Sequence, residues 1–165
     1  MSPTLRDSMH LITDPANLQA SVREVFGTML GVRCEEENDA AVGLRSSSEE
    51  SVAAVVGFAG TLSGACVLQC DSLTAQRMAA CMTGMEFESV DEIVKDGIGE
   101  ICNMLAGAWK SRIPGLSTHC NLSIPAVITG RDYGVHVQAP EFRLYQAYSF
   151  DRAHFEVTII CDGVR

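Results

Sequence analysis

The chain has 165 residues, 47% of them apolar, with 21 acidic and 12 basic side chains and a net charge of −9. That length suits a single domain spanning residues 1–165 with a sizeable core. The negative charge, unrelieved by any Lys/Arg cluster, excludes nucleic acid and anionic membrane as natural partners, because both are polyanions.

The opening MSPTLRDSMHLITDPANLQA is polar and holds no apolar stretch of signal-peptide length. Leu18, Val22, Val25, Phe26 and Met29 then recur at helical spacing, and Gly31 supplies a stop, which predicts a first helix over about 15–30. Residues 33–44 read as a strand with an acidic bend at Glu35 to Asp39, and RSSSEE at 45–50 reads as a polar connection. Val52, Ala54, Val56 and Phe58 alternate on one face, GTLSG at 60–64 provides a turn, and Ala65 to Cys70 continues as a second strand. Together they predict a β-hairpin at the centre of a sheet. The apolar run Val52 to Ala59 is the longest in the chain and is far short of the ~20 residues that span a bilayer, so a cytoplasmic protein without membrane contact is expected.

Asp71 or Ser72 caps a short helix through Met82, which Gly84 ends. A longer helical pattern follows from Ser89 to about Ile113, where Pro114 and Gly115 stop it. The remainder returns to strands: Cys120 to Ile128 with Pro125 inside, a short Gly134 to Gln138, an alternating Phe142 to Phe150, a turn near Asp151 to Ala153, and Phe155 to Cys161. This order predicts an α+β fold, a mostly antiparallel sheet with long helices packed on one face.

The seven cysteines include no C-x-x-C pair and mostly sit inside apolar patterns, so they are expected to be reduced core thiols. His10, His119, His136 and His154 are scattered among unlike segments, so no metal site is expected. No P-loop, dinucleotide fingerprint or G-x-S-x-G motif occurs.

The informative stretch is DGIGEICNMLAGAWKSRI at 96–113. At ~100° per residue, Val90, Val94, Ile98, Ile101, Leu105 and Ala108 gather on one side, while Asp96, Asn103 and Gly107 fall within about 60° of Glu100 on the other. Glu100 and Asn103, three positions apart, bring their Cβ atoms within roughly 5–6 Å, so both can address one small object. Gly99, Ala106 and Gly107 keep that face low, although Gly in a helix interior costs about 1 kcal/mol against Ala. A docked partner would account for it; periodicity by itself favours an inert solvated face.

Asp96-x-x-x-Glu100-x-x-Asn103, followed 22 positions later by Pro125, resembles the signature of the CheC, CheX and FliY phosphatases of bacterial chemotaxis, one residue short of that family's commonest spacing. REVFGTMLGV at 23–32 and the Gly64 to Cys70 strand are similar to family segments as well, so the resemblance covers about 15–162. CheC-type members carry two copies of the signature, whereas the helix at 71–84 offers Ala75 and Met78 where Glu and Asn would be required, which is similar to the single-copy CheX arrangement.

The resemblance implies a CheX-like phosphatase that hydrolyses the aspartyl phosphate of a phosphorylated CheY-like response regulator. Asn103 would orient the attacking water, and Glu100 would dock to a receiver Lys. Asp96, Gly99 and Gly107 would form the docking surface. The chain would need no cofactor or metal of its own, the Mg2+ being held by the receiver, and it would pair as a homodimer. The alternative is a non-catalytic module that docks a receiver or a flagellar switch component through the same helix.

Overall fold

The computed structural model describes residues 5–37, 50–131 and 140–164. The expected strand at Gly134 to Gln138, most of the polar connection at 45–50, and His136 lie outside them. A helical turn Leu5–Ser8 and a short helix α1 (Met9–Ile12) lead into α2 (Pro15–Val25), which Asp14 caps by accepting from the Ala16 amide. A wider π-type turn, Phe26–Leu30, extends α2 to a left-handed Gly31, so the first helix ends where the glycine predicts.

Strand β1 (Glu35–Glu37) falls on the acidic run, where the sequence predicts a bend. Strands β2 (Ser51–Gly60) and β3 (Leu62–Asp71) form the hairpin, with a tighter turn than GTLSG implies: β3 begins at Leu62 rather than Ala65. The turn needs its glycine, because Gly60 sits at φ +107° and a Cβ there would stand 2.3 Å from the His119 carbonyl oxygen.

Helix α3 (Ser72–Thr83) starts at Asp71, which accepts from the Thr74 amide, and stops at a left-handed Gly84. Helix α4 (Glu92–Ser111) starts three residues later than the apolar pattern suggests, because the Asp91 side chain accepts from the Val94 amide at 3.0 Å and sets the first turn there. Then come β4 (Cys120–Leu122), β5 (Ala126–Gly130), β6 (Phe142–Phe150) and β7 (Ala153–Val164). Asp151 and Arg152, both at positive φ, make the tight turn between β6 and β7.

The described strands form one antiparallel sheet in the order β1-β6-β7-β3-β2-β4, with β5 also paired to β2. Val52, Ala54, Val56 and Phe58 of β2, Cys66, Leu68 and Cys70 of β3, and Phe155, Val157 and Ile159 of β7 face the same side and share one core with all four helices. The fold is therefore the expected α+β arrangement with helices on one face. Trp109 of α4 is fully buried and packs on Phe58, with ring centroids 5.4 Å apart. No described helix is long and apolar enough to cross a membrane.

All seven cysteines are free, and all but Cys81 are buried. Burial pushes the Cys34 thiol from its usual 9.0 up to about 12. A thiol-specific reagent is therefore expected to label Cys81 alone in the folded chain and all seven sites in denaturant. Because the unfolded chain releases the Cys34 proton first, stability is intact below pH 9.0 and declines as pH rises toward about 12. The urea midpoint should be lower at about pH 10.5 than at about pH 8.

Candidate functional site

Helix α4 owes its orientation to its apolar side. Val94, Ile98, Ile101, Cys102, Leu105, Ala106 and Trp109 are all buried, and each large apolar side chain among them contributes roughly 1.5–3 kcal/mol by leaving water. Cys102 adds a weak sulfur contact to the Ala54 carbonyl at 3.4 Å, fastening the helix directly over β2. At the C-terminal end Lys110 donates to the Cys120 carbonyl at 2.6 Å and reaches the Ser117 carbonyl at 3.4 Å. It therefore ties the following loop to the helix.

With that side locked, Asp96 and Glu100 are exposed and Asn103 is half-buried, all on the outer face. None of the three side chains has a hydrogen bond or ion pair among the described residues. Neighbouring charged groups do find partners, such as Lys95 with Glu92 on the same helix and Arg112 with Glu24 of α2. An unpartnered acid, acid and amide within about two helical turns leave hydrogen-bonding capacity for a second molecule.

Gly99 and Gly107, expected to play one role, play two. A Cβ on Gly99 would stand 3.3 Å from Pro125 Cβ and 3.5 Å from Val127 Cγ2, and Gly99 is buried. Its missing side chain admits the chain's own β5 end, so the low surface expected at Gly99 is already filled from within. Gly107 is different: a Cβ there would meet only Leu122 Cδ1, at 4.0 Å. It lines a groove of about 540 Å³ beside α4, between α2 and β4, whose lining also includes Met29, Asn103, Met104 and Leu122.

The strand beside the site is broken. β4 pairs with Phe58 to Gly60 of β2 and β5 pairs with Ser51 to Val55, leaving Ser123 to Pro125 between them. Proline has no amide to donate, so the ladder cannot run through Pro125. Ser123 closes the gap at Gly57, whose amide donates to Ser123 Oγ at 2.8 Å while the Ser123 amide donates to the Gly57 carbonyl at 2.9 Å. The sequence pattern predicts one strand over 120–128 and misses this break; Pro125 inside the pattern is the signal that marks it.

Ala75 and Met78, the positions on α3 where a second acid and amide would be needed, are both fully buried. The exposed face of α3 carries Leu73 and Arg77 instead. A single polar stripe remains, on α4. Among the described residues no three His, Cys, Asp or Glu side chains converge as a metal site.

Unpartnered acid and amide side chains on the outer face of a helix clamped to the sheet make that face of α4 the candidate site. The family model for the chemotaxis phosphatase CheX matches residues 52–146. The CheY-P phosphatase CheX of Thermotoga maritima is 30% identical over 129 residues, covering 74% of this chain and 83% of the relative. In fold, the chain is similar to the chemotaxis protein CheX of Vibrio vulnificus, with a TM-score of 0.74 at 19% identity over 88% of this chain and 94% of the other. It is also similar to a chain of the CheX-CheY-BeF3-Mg2+ complex of Borrelia burgdorferi, with a TM-score of 0.70 at 21% identity over 92% of this chain and 99% of that one. The chain belongs to the CheX family of chemotaxis phosphatases, and its enzyme class is that of a hydrolase.

The two glycines make opposite predictions. Gly107→Ala should raise stability by about 0.5–1 kcal/mol through helix propensity, since the added methyl makes only an ordinary contact with Leu122 Cδ1 at 4.0 Å. Gly99→Ala should lose that gain to overpacking against Pro125 and come out destabilised by about 1 kcal/mol. Urea unfolding of the two variants beside wild type measures both.

Proposed function

We propose that the chain hydrolyses the aspartyl phosphate of a CheY-like response regulator, with Glu100 and Asn103 as its working pair. The observation that carries this reading is that both side chains stand unpartnered, one helical turn apart, on the outer face of α4 in a CheX-family chain. The substrate class comes from the relatives: the Thermotoga maritima protein is a CheY-P phosphatase, and the Borrelia burgdorferi structure is a CheX-CheY complex.

An acyl phosphate is already activated, so the catalyst's main task is placing water in line with phosphorus. The water oxygen attacks phosphorus as the bond from phosphorus to the aspartyl oxygen breaks. The electron pair of that bond leaves with the carboxylate, and the water's protons pass to the departing phosphate and solvent. Asn103 suits the positioning role because its carboxamide both donates and accepts, which allows it to hold water by one atom and the receiver's site by the other. Glu100 supplies an exposed carboxylate that pairs with a receiver Lys and seats the helix. Asp96 and Gly107 complete the contact surface, Asp96 by charge and Gly107 by clearance. The Mg2+ belongs to the receiver, where it offsets phosphoryl charge, and the chain works as a homodimer joined through its sheets, checked by sedimentation.

Loss of phosphate from a phosphorylated CheY-like receiver tests the assignment. Wild type should accelerate the decay. Asn103→Ala should bind yet lose about 100-fold or more in kcat, as positioned polar groups typically do. Glu100→Ala should lose about 10–100-fold in kcat/KM, largely through weaker docking. Decay in the presence of wild type at the receiver's own rate would leave a docking module and sink the phosphatase reading.

A further inference from the structure

The polar stripe is bordered on both sides by exposed apolar residues. Relative to Glu100, at ~100° per residue, Asp96, Asn103 and Gly107 lie within about 60° on one side, and Ile93 and Met104 about 20–40° on the other. Gly99 lies about 100° round on the Asn103 side, where Pro125 packs against it at 3.3 Å. Pro125 therefore leaves its chain neighbour Ile124 on the Gly99 side of α4, the side away from Met104. Ile124 is 89% exposed, Ile93 48% and Met104 42%, and these are three of the six large exposed hydrophobic residues among those described.

Single exposed hydrophobics are ordinary, but Ile124 is held out rather than left out. Ser123 before it is bonded through both its hydroxyl and its amide to Gly57, and Ser123 Oγ also donates to the Ile124 carbonyl at 3.1 Å. Pro125 after it has a fixed φ and is wedged on Gly99. The side chain is thus presented on a short, doubly anchored break in the edge strand, with its ordering cost already met by the fold.

We infer that Ile124 on one side and Ile93 with Met104 on the other form an apolar rim that seats the phosphorylated receiver over Glu100 and Asn103. This rests on the function proposed above. The occupant is the receiver because Ile93 and Met104 share the exposed side of α4 with Glu100 and Asn103, so a protein that brings its acyl phosphate to Asn103 lies along the same surface. A polar centre framed by apolar contacts also expels water as the partner closes, strengthening the charge pairing inside. The rim acts by binding, so its removal weakens association and leaves the hydrolytic step in place.

The test is a steady-state comparison of wild type, Ile124→Asp, Ile124→Val and a control on α3, Leu73→Asp, which alters another exposed hydrophobic at 69% exposure. The expected result is a rise in KM of about tenfold or more for Ile124→Asp with kcat within about twofold, near-wild-type KM for Ile124→Val, and no change for Leu73→Asp. Matched urea midpoints show that the fold is intact. Equal KM for Ile124→Asp and wild type overturns the inference, as does a change confined to the self-association of the chain, which would assign the rim to a second copy. Binding of a beryllofluoride-loaded receiver separates this from the phosphatase reading: if wild type binds without accelerating hydrolysis and Ile124→Asp still weakens binding about tenfold, the rim stands while the catalytic assignment falls.

Discussion

The burial of one side of α4 against β2 and β3 is the constraint on which the rest depends. Ile98, Ile101, Leu105 and Trp109 are wholly out of water, and Cys102 touches the carbonyl of Ala54. A helix held this way cannot rotate about its axis without exposing several apolar side chains at roughly 1.5–3 kcal/mol apiece. Its outer residues are consequently set in direction, and Asp96, Glu100 and Asn103 need no hydrogen bonds of their own to keep them facing outward.

Fixed orientation matters because the proposed chemistry has little else to work with. Positioning a water molecule by a single carboxamide succeeds only if that group arrives at the partner in one pose, and a displacement of about 1 Å can cost about 100-fold in rate. Here the pose comes from a packed core and from the capping of the helix by Asp91, while Lys110 ties down the loop beyond its end. The broken edge strand contributes from the other side. Ser123 replaces the ladder bonds that proline would forfeit, and Gly99 lets Pro125 come close enough to stiffen the border of the site. The cost of a glycine in mid-helix is therefore offset within the chain at Gly99, and at Gly107 it leaves open surface.

Several elements are legible from local pattern alone. The hairpin shows in the alternation from Val52 to Phe58, α2 in its apolar spacing and closing Gly31, α3 in its cap and closing Gly84, and the β6 and β7 pair in alternating aromatic and branched residues. The departures cluster where local signals compete. Ser89 and Asp91 are both acceptable caps, and the bond to Val94 selects Asp91. The acids at 35–37 have the composition of a bend, yet they lie in a strand because β6 offers a ladder to join. On α3, Ala75 and Met78 hold the spacing of an active pair, although the core claims both positions.

What the sequence determined by itself was periodicity: which residues share a helix face, and hence that Glu100, Asn103 and Asp96 stand together opposite an apolar stripe. Spacing of three or four residues is a local property and needs no knowledge of what packs where. Only the tertiary structure decided what borders that face. The contact of Gly99 with Pro125, the latch of Ser123 on Gly57 and the presentation of Ile124 join segments far apart in the chain, 66 positions in the case of the latch. No local pattern encodes such meetings, because they depend on which strand the sheet accepts at its edge.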